Sequence, residues 1–428
     1  MDLLMSIFTF SVLIGTMLSV FMLIGSSVYD MVAAAEAVKP STISKTRRNR
    51  YRPTVSIIIP AYNEERTIVR CLEGLKKVRY PKKKLEIIVS DDCSKDATKR
   101  ITRSYIKAHP ERKIRLVAGV TNGGRGEAIN RGVAKASGEI VVAFDADCIF
   151  APDAIRKLVA HFANPKTSAV AANVRIIDDG TVLGMIQRLE YLVSFRTKKF
   201  NTVTNSEFII GGAGASYRAS RLAEAGGFDS RMKTEDIELS MRMTRLFGKN
   251  GGLMYASDYL VYTDPVPTYR ALFKQRFRWK FGSLQALFHN RKLLLSTNRN
   301  QNILTSWVRL PHSLWSELML LLEPVLFSIF IYIAIAGKNP WLFIGAASAY
   351  SVVTWLAIWS DEHLRFVTKL HLSFMAPFMY MASFVMSLVQ IVAAMRSLIN
   401  IRSIVGLKSV SGAYVTTERA AASNGALA

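Results

Sequence analysis

The sequence predicts an α/β domain built on a mostly parallel, Rossmann-like sheet and flanked at both ends by apolar α-helical segments. Three observations predict it. From Thr54 onward short β-branched runs alternate with helical stretches, the succession expected of βαβ units. Long uncharged runs lie toward the two ends of the 428-residue chain. Two strand candidates end in carboxylates, at Asp91-Asp92 and at Asp145-Ala146-Asp147, and ligands of open α/β sheets bind beyond the carboxyl ends of the strands.

The strand candidates are Val55 to Pro60, Leu85 to Ser90, Ile114 to Ala118 and Glu139 to Phe144, each a short β-branched or apolar run. Between them Glu65 to Val78, Asp96 to His109 and Gly126 to Ala136 carry helical spacing. After the first strand the chain reads Pro60-Ala61-Tyr62-Asn63-Glu64, which is no glycine-rich phosphate loop and argues against a dinucleotide enzyme.

Toward the N-terminus, Leu3 to Tyr29 has no charged residue and exceeds the roughly 20 apolar residues that cross a bilayer. Ala33 to Ala37 faintly resembles a signal-peptide cleavage site, but the run is long for one and Asp2 precedes it without any Lys or Arg, so a retained anchor over 1–32 is the better reading. Lys39, Lys45, Arg47, Arg48, Arg50 and Arg52 follow, and the positive-inside rule places them, and the domain over 50–265, in the cytoplasm. Residues 266–312 turn amphipathic and basic, with Tyr269, Leu272, Phe273, Phe277, Phe281 and Leu284 among Arg270, Lys274, Arg276, Arg278 and Lys280, as suits a helix in the membrane interface. Within 313–400 three runs have spanning length, Leu314 to Ala336, Trp341 to Trp359 and Leu372 to Met395, and a polar tail over 401–428 closes the chain. Together these give a multi-pass protein of the cytoplasmic membrane. With all three runs spanning, Arg396, Arg402 and Lys408 end outside, an orientation that charge counting leaves open.

The net charge of +24 calls for an anionic partner: nucleic acid, lipid head groups or a phosphorylated substrate. No helix-turn-helix, zinc or RNA-binding signature is present and the basic residues gather beside apolar runs, which argues against nucleic acid and for the lipid bilayer. Cys71, Cys93 and Cys148 lack the spacing of a zinc site or a disulfide framework and read as reduced thiols.

Three constellations carry chemistry. Asp145 and Asp147 offer hard oxygen ligands suited to Mg2+ or Mn2+ with phosphate and water completing the shell, although such pairs also cap helices. Thr234-Glu235-Asp236 opens a helix; Thr234 suits an N-cap and the acids suit the helix dipole, while Asp236 is also placed to take a proton from an acceptor hydroxyl. Gln275-Arg276-Phe277-Arg278-Trp279 offers Arg278 and Gln275 to a diphosphate and the face of Trp279 to a sugar, or else forms an interfacial aromatic-basic belt.

In order, Pro60 to Glu64, Asp91 to Ser94, Asp145 to Asp147, Thr234 to Asp236 and Gln275 to Trp279, with apolar segments on both sides, resemble the motifs of the processive family 2 glycosyltransferases. These include cellulose, chitin, hyaluronan and poly-N-acetylglucosamine synthases; the last are the most similar. The resemblance covers about residues 50 to 290. It implies a cytoplasmic GT-A domain and inverting transfer from a UDP-sugar to a polysaccharide or glycolipid acceptor, with a small membrane partner subunit as a further expectation. Carried over onto this chain, it implies that Pro60, Tyr62, Glu64, Asp91, Asp92, Arg125, Asp145, Gln275 and Arg278 bind the nucleotide sugar and that Asp147 with Asp145 holds the metal. It implies further that Asp236, with Glu235 and Asp147, is catalytic and that Trp279, Gly212, Gly214 and Thr234 face the acceptor. Arg125 stands where many relatives carry Lys, which keeps the charge and changes its geometry.

Two other readings compete. A non-processive transferase acting on a polyprenyl phosphate or a diacylglycerol would share the donor site. A transporter is suggested by Glu317 and Glu323 in or beside an apolar run, either as lining of a polymer path or as groups paired within the bundle, but it would have no need of acidic strand ends.

Overall fold

The computed structural model describes residues 17–18, 20–32, 35, 50–338, 341–400, 402 and 404. Most of the expected N-terminal anchor, the candidate cleavage site, the basic residues from Lys39 to Arg48 and nearly all of the polar tail lie outside them.

The first half follows the βαβ expectation. Strands β1 (Val55–Ala61), β2 (Leu85–Asp91), β3 (Ile114–Ala118) and β4 (Ile140–Ala143) are all parallel where they pair. The helices Ile68–Lys76, Thr98–Ala108 and Arg125–Val133 make the crossovers. Every residue of β1 and β2 is buried, which is why these strands read as near-continuous apolar runs instead of an alternation. Alternate side chains feed two cores. Ile57 and Ile59 pack with Leu72 and Leu75 on one face, and Ile58 packs with Ile129, Leu239 and Met243 on the other.

The second half departs from a mostly parallel sheet. β5 (Cys148–Phe150), β6 (Ala169–Ile176), β7 (Ala215–Arg218) and β8 (Leu253–Thr263) extend the eight-stranded order β3-β2-β1-β4-β7-β6-β8-β5. β7 runs antiparallel to both β4 and β6, and β5 antiparallel to β8, so the sheet is mixed, as in a GT-A-like domain. The helix Val182–Val203 lies between β6 and β7, and the segment 204–214 returns the chain to the sheet. That helix carries Leu183, Ile186, Leu189 and Leu192 at helical spacing into a third apolar cluster with Val266, Leu272, Ile358, Leu372 and Met386.

The amphipathic stretch forms one helix, Tyr269–His289, with Thr268 capping it through Ala271 N–H. Three apolar helices follow, Leu310–Ala336, Trp341–Trp359 and Phe366–Ile399. Among the described residues one helix, Leu304–Tyr332, is long and apolar enough to cross a membrane, while Val20–Val32, Phe343–Trp359 and Phe384–Ile399 form shorter apolar helices. Polar pairs tie these helices to the α/β domain. Asp30 accepts from Arg196 and Lys199, Asp361 from Arg175, and Glu317 from Lys280 at 2.5 Å, so Glu317 has an ionic partner on the helix Tyr269–His289.

Candidate active site

The turns after β1 and β2 are laced together by their own side chains. Asn63, at φ +55°, accepts from Lys95 N–H at 2.8 Å through Oδ1 and donates its N–H to Ser94 Oγ at 3.1 Å; Glu64 N–H donates to Thr98 Oγ1 at 2.7 Å. Asp92 N–H closes the strand ends by donating to Ala61 C=O at 2.8 Å. Tyr62 and Glu64 are half-buried on this rim, whereas Pro60, Asp91 and Asp92 lie fully beneath it. Asp91 receives Ser94 N–H at 3.3 Å and has Lys99 at 3.5 Å, yet its Oδ1 is buried with no hydrogen-bond partner among the described residues. An orphaned buried acceptor of this kind is costly unless a ligand donor meets it.

Asp92 has a different task. Its carboxylate accepts the N–H groups of Gly123 and Gly124 at 3.1 and 2.7 Å and so fixes the loop that leads into the helix Arg125–Val133. Gly124 sits at φ +86°, a conformation that a side chain would strain. The loop delivers Arg125, whose Nε and Nη2 donate to Asp145 Oδ1 at 2.9 and 2.7 Å, whose Nη1 donates to Glu235 Oε1, and whose Nη2 also reaches Gly212 C=O at 3.1 Å.

Asp145 and Asp147 occupy the turn between β4 and β5. With Cys148 they place one ligand atom each within 4.8 Å of one another. The two carboxylates supply the hard oxygens that Mg2+ or Mn2+ takes; Cys148, buried, donates to Asp147 Oδ1 at 3.1 Å and adds a softer donor. Arg70, which no sequence signal marked out, supports this turn from behind by donating to Asp147 C=O at 3.2 Å while pairing with buried Asp264.

The helix Glu235–Phe247 begins at Thr234, but the expected cap is not made: Thr234 Oγ1 is buried without a partner, because the side chain is turned toward Gly282 of the interfacial helix. Asp236 lies beside Gly212, where a β carbon would come 2.9 Å from Asp236 Oδ2 and 3.0 Å from Arg125 Nη2, so a side chain there would push one of these groups aside. Burial and the neighbouring Glu235 carboxylate push Asp236 up to about 6, against the pull of Arg125. Burial and Arg278 hold the Lys233 ammonium below its ordinary value.

A cleft of about 870 Å³ unites much of this constellation. It is lined by Arg125, Asp145, Gly212, Thr234, Glu235 and Asp236 on one side and by Gln275, Arg278 and Trp279 on the other, with Arg396 and Asn400 at the end of the last helix. Pro60, Tyr62, Glu64, Asp91, Asp92 and Asp147 are not among its lining residues; they lie at the strand-end rim or beneath it. Gly214, expected beside the acceptor, is buried in the sheet at φ +75° against Val261 and Tyr259 and does not line the cleft either.

On the helix Tyr269–His289, Trp279 lines the cleft and also makes a contact within its own helix. Its ring faces Arg276, 4.2 Å from ring centroid to guanidinium carbon, and Arg276 in turn donates to Glu190 at 2.6 Å. Neither Arg276 nor Glu190 was legible as functional, because they meet across 86 positions of the chain.

Residues 56–225 match the family described as glycosyl transferase family 2. The poly-beta-1,6-N-acetyl-D-glucosamine synthase of Staphylococcus epidermidis is 29% identical over 290 residues, which are 67% of this chain and 68% of that protein. The enzyme of the same name from Staphylococcus aureus strain COL is 29% identical over 269 residues, 62% of this chain and 63% of its own. Among solved structures, the mannosyltransferase PcManGT of Pyrobaculum calidifontis, in complex with GDP-Man and Mn2+, superposes with a TM-score of 0.54 at 21% identity, over 88% of this chain and 99% of that one, and so shares the fold. Residues 56–225 therefore carry a glycosyl transferase family 2 domain, and the chain is similar to the poly-beta-1,6-N-acetyl-D-glucosamine synthases.

Proposed function

We propose that this protein is a membrane-embedded, inverting, metal-dependent transferase that adds N-acetylglucosamine from its UDP donor to a growing polysaccharide on the cytoplasmic face. The observation that carries the reading is the single cleft in which Asp145, Asp236 and Trp279 meet, although they come from three distant parts of the chain. The similarity to synthases of a poly-N-acetylglucosamine supports the sugar and the polymer.

In this reading Asp145 and Asp147 hold a divalent cation, which supplies charge neutralisation on the leaving diphosphate. Asp91, with its orphaned Oδ1, takes a donor group of the nucleotide base, and Tyr62 and Glu64 border it. Asp236 accepts the proton of the acceptor hydroxyl; an upward-shifted carboxylate is a better base than an ordinary one and is still ionised at neutral pH. Glu235 and Arg125 orient that carboxylate, Gln275 and Arg278 meet the diphosphate from the opposite wall, and Gly212 lets the acceptor approach the backbone. The helices Leu310–Ala336, Trp341–Trp359 and Phe366–Ile399 form the C-terminal membrane part, with the interfacial segment 266–312 between it and the catalytic domain.

The test is to incubate detergent-purified protein with a panel of UDP-sugars and with GDP-mannose, following nucleotide release and product length. UDP release confined to UDP-N-acetylglucosamine with long products is the expected result. A single-sugar lipid adduct would replace the polymer reading with transfer to a polyprenyl phosphate or a diacylglycerol, and release of GDP alone would overturn the donor.

A further inference from the structure

Arg125 joins the two halves of the cleft through one side chain. Its guanidinium, 15% exposed, spends two N–H groups on a single oxygen, Asp145 Oδ1, and a third on Glu235 Oε1. That oxygen therefore accepts twice from one cationic group. Its backbone is no less constrained. Asp92 holds the N–H groups of the two preceding glycines, and the carbonyl of Gly212 receives Nη2 from the far side.

We propose that Arg125 is a positioning residue that acts as a latch on Asp145: it occupies the carboxylate while the donor site is empty and moves to the donor's diphosphate when nucleotide binds, so that cation and nucleotide bind cooperatively. The inference rests on the reading of Asp145 and Asp147 as cation ligands given above. Two features support it. A guanidinium and a divalent cation compete for Oδ1, since each needs direct contact with the same lone pairs and they repel one another. A diphosphate offers the guanidinium fork a bidentate partner of higher charge than one carboxylate oxygen, and Glu235 keeps a second anchor for the side chain throughout the exchange. The planar fork lets one side chain reach Asp145, Glu235 and Gly212 through separate nitrogens set apart by the rigid guanidinium.

The test measures Mn2+ binding to the detergent-purified full chain by the electron paramagnetic resonance of free Mn2+, with and without saturating UDP. UDP is expected to tighten Mn2+ binding to the wild type, within the roughly 5- to 150-fold range of coupling between sites. Arg125→Ala is expected to bind Mn2+ without UDP at least about fivefold more tightly than the wild type, and its UDP-dependent enhancement is expected to shrink by the same factor, as reciprocity demands. Arg125→Lys keeps the charge without the fork and carries the test if the alanine variant unfolds; it is expected to show the same change in part. Arg231→Ala removes a cation from the wall of the same cleft, where Arg231 pairs with Asp229, and is expected to leave Mn2+ affinity unchanged.

Mn2+ affinity without UDP that is unchanged or weaker in both Arg125 variants overturns the latch, and so does an equal gain in Arg231→Ala, which would make the effect one of bulk charge. UDP-enhanced Mn2+ binding that survives intact in the Arg125 variants removes the latch alone. Wild-type protein that binds no Mn2+ even with UDP, or binding undiminished in Asp147→Asn, removes the cation site itself and the latch with it.

Discussion

Thr234 packs directly on Gly282: a β carbon built there would come within 2.3 Å of Thr234 Oγ1 and 2.8 Å of its Cβ. The residue before the Glu235-Asp236 pair therefore rests on the backbone of the helix that carries Gln275, Arg278 and Trp279. Gly282→Ala is expected to force the two helices apart and to lower turnover at least about tenfold, with overpacking costing about 1–3 kcal/mol in stability. Steady-state kinetics beside thermal unfolding of the purified variant checks this, and unaltered kcat would show that the contact does not set the cleft.

Asp236 gives a pH signature. Its carboxyl titrates at about 6, above the ordinary value, so the base is protonated and inactive in acid and becomes competent as pH rises through about 6. kcat/KM is expected to climb tenfold per pH unit below that point and to level off above it. The folded state holds this proton more tightly than the unfolded chain, so ionising Asp236 withdraws stability as pH rises between its ordinary pKa and about 6. Asp236→Asn is expected to lower turnover about 10²–10⁴-fold with UDP binding retained; an acid limb that persists in the residual activity of this variant would assign it to another group.

Asp92 is expected to matter for shape before chemistry. Asp92→Ala leaves the N–H groups of Gly123 and Gly124 without their acceptor and Arg131 without its carboxylate. A loss of about 1–3 kcal/mol follows from the unmet groups. Nucleotide affinity should fall with it, because the loop that aims Arg125 is released. Calorimetric titration of UDP and a melting curve read the two effects separately.

Arg276 links Trp279 to Glu190, and Glu190 is held above its ordinary pKa by burial despite that partner. Arg276→Ala should therefore loosen the Trp279 ring and raise KM for acceptor more than for donor. In a double-mutant cycle with Glu190→Gln, a coupling of about 1–3 kcal/mol is expected from a hydrogen bond between charged groups. Additive effects would separate the two residues.

Excess chelator should abolish transfer and Mn2+ or Mg2+ should restore it, with Asp147→Asn unresponsive to either. Full activity in chelator would remove the cation from the reaction.

The parallel half of the sheet and the order of its crossover helices were legible in the sequence, because burial on both faces leaves a local signature of apolar runs separated by helical spacing. So were the carboxylates at the strand ends, whose side chains must emerge where each strand stops. The mixed half was not. β6, β7 and β8 pair across the intervening helix Val182–Val203 and its connections, and nothing in a short apolar run states which neighbour it will take or in which direction. The apolar spacing of Leu183, Ile186, Leu189 and Leu192 would have marked that helix, but not that its Glu190 reaches Arg276.

By itself the sequence determined which residues carry charge and oxygen donors and on which kind of element each one sits, since propensity and periodicity act over a few neighbours. Only the tertiary structure decided that Arg125 closes on Asp145 and Glu235, that Thr234 meets Gly282 instead of capping its helix, and that Arg276 reaches Glu190. These contacts join residues separated by 20 to 110 positions in the chain, and their geometry is set by how the sheet and the helix Tyr269–His289 pack, which no local pattern encodes.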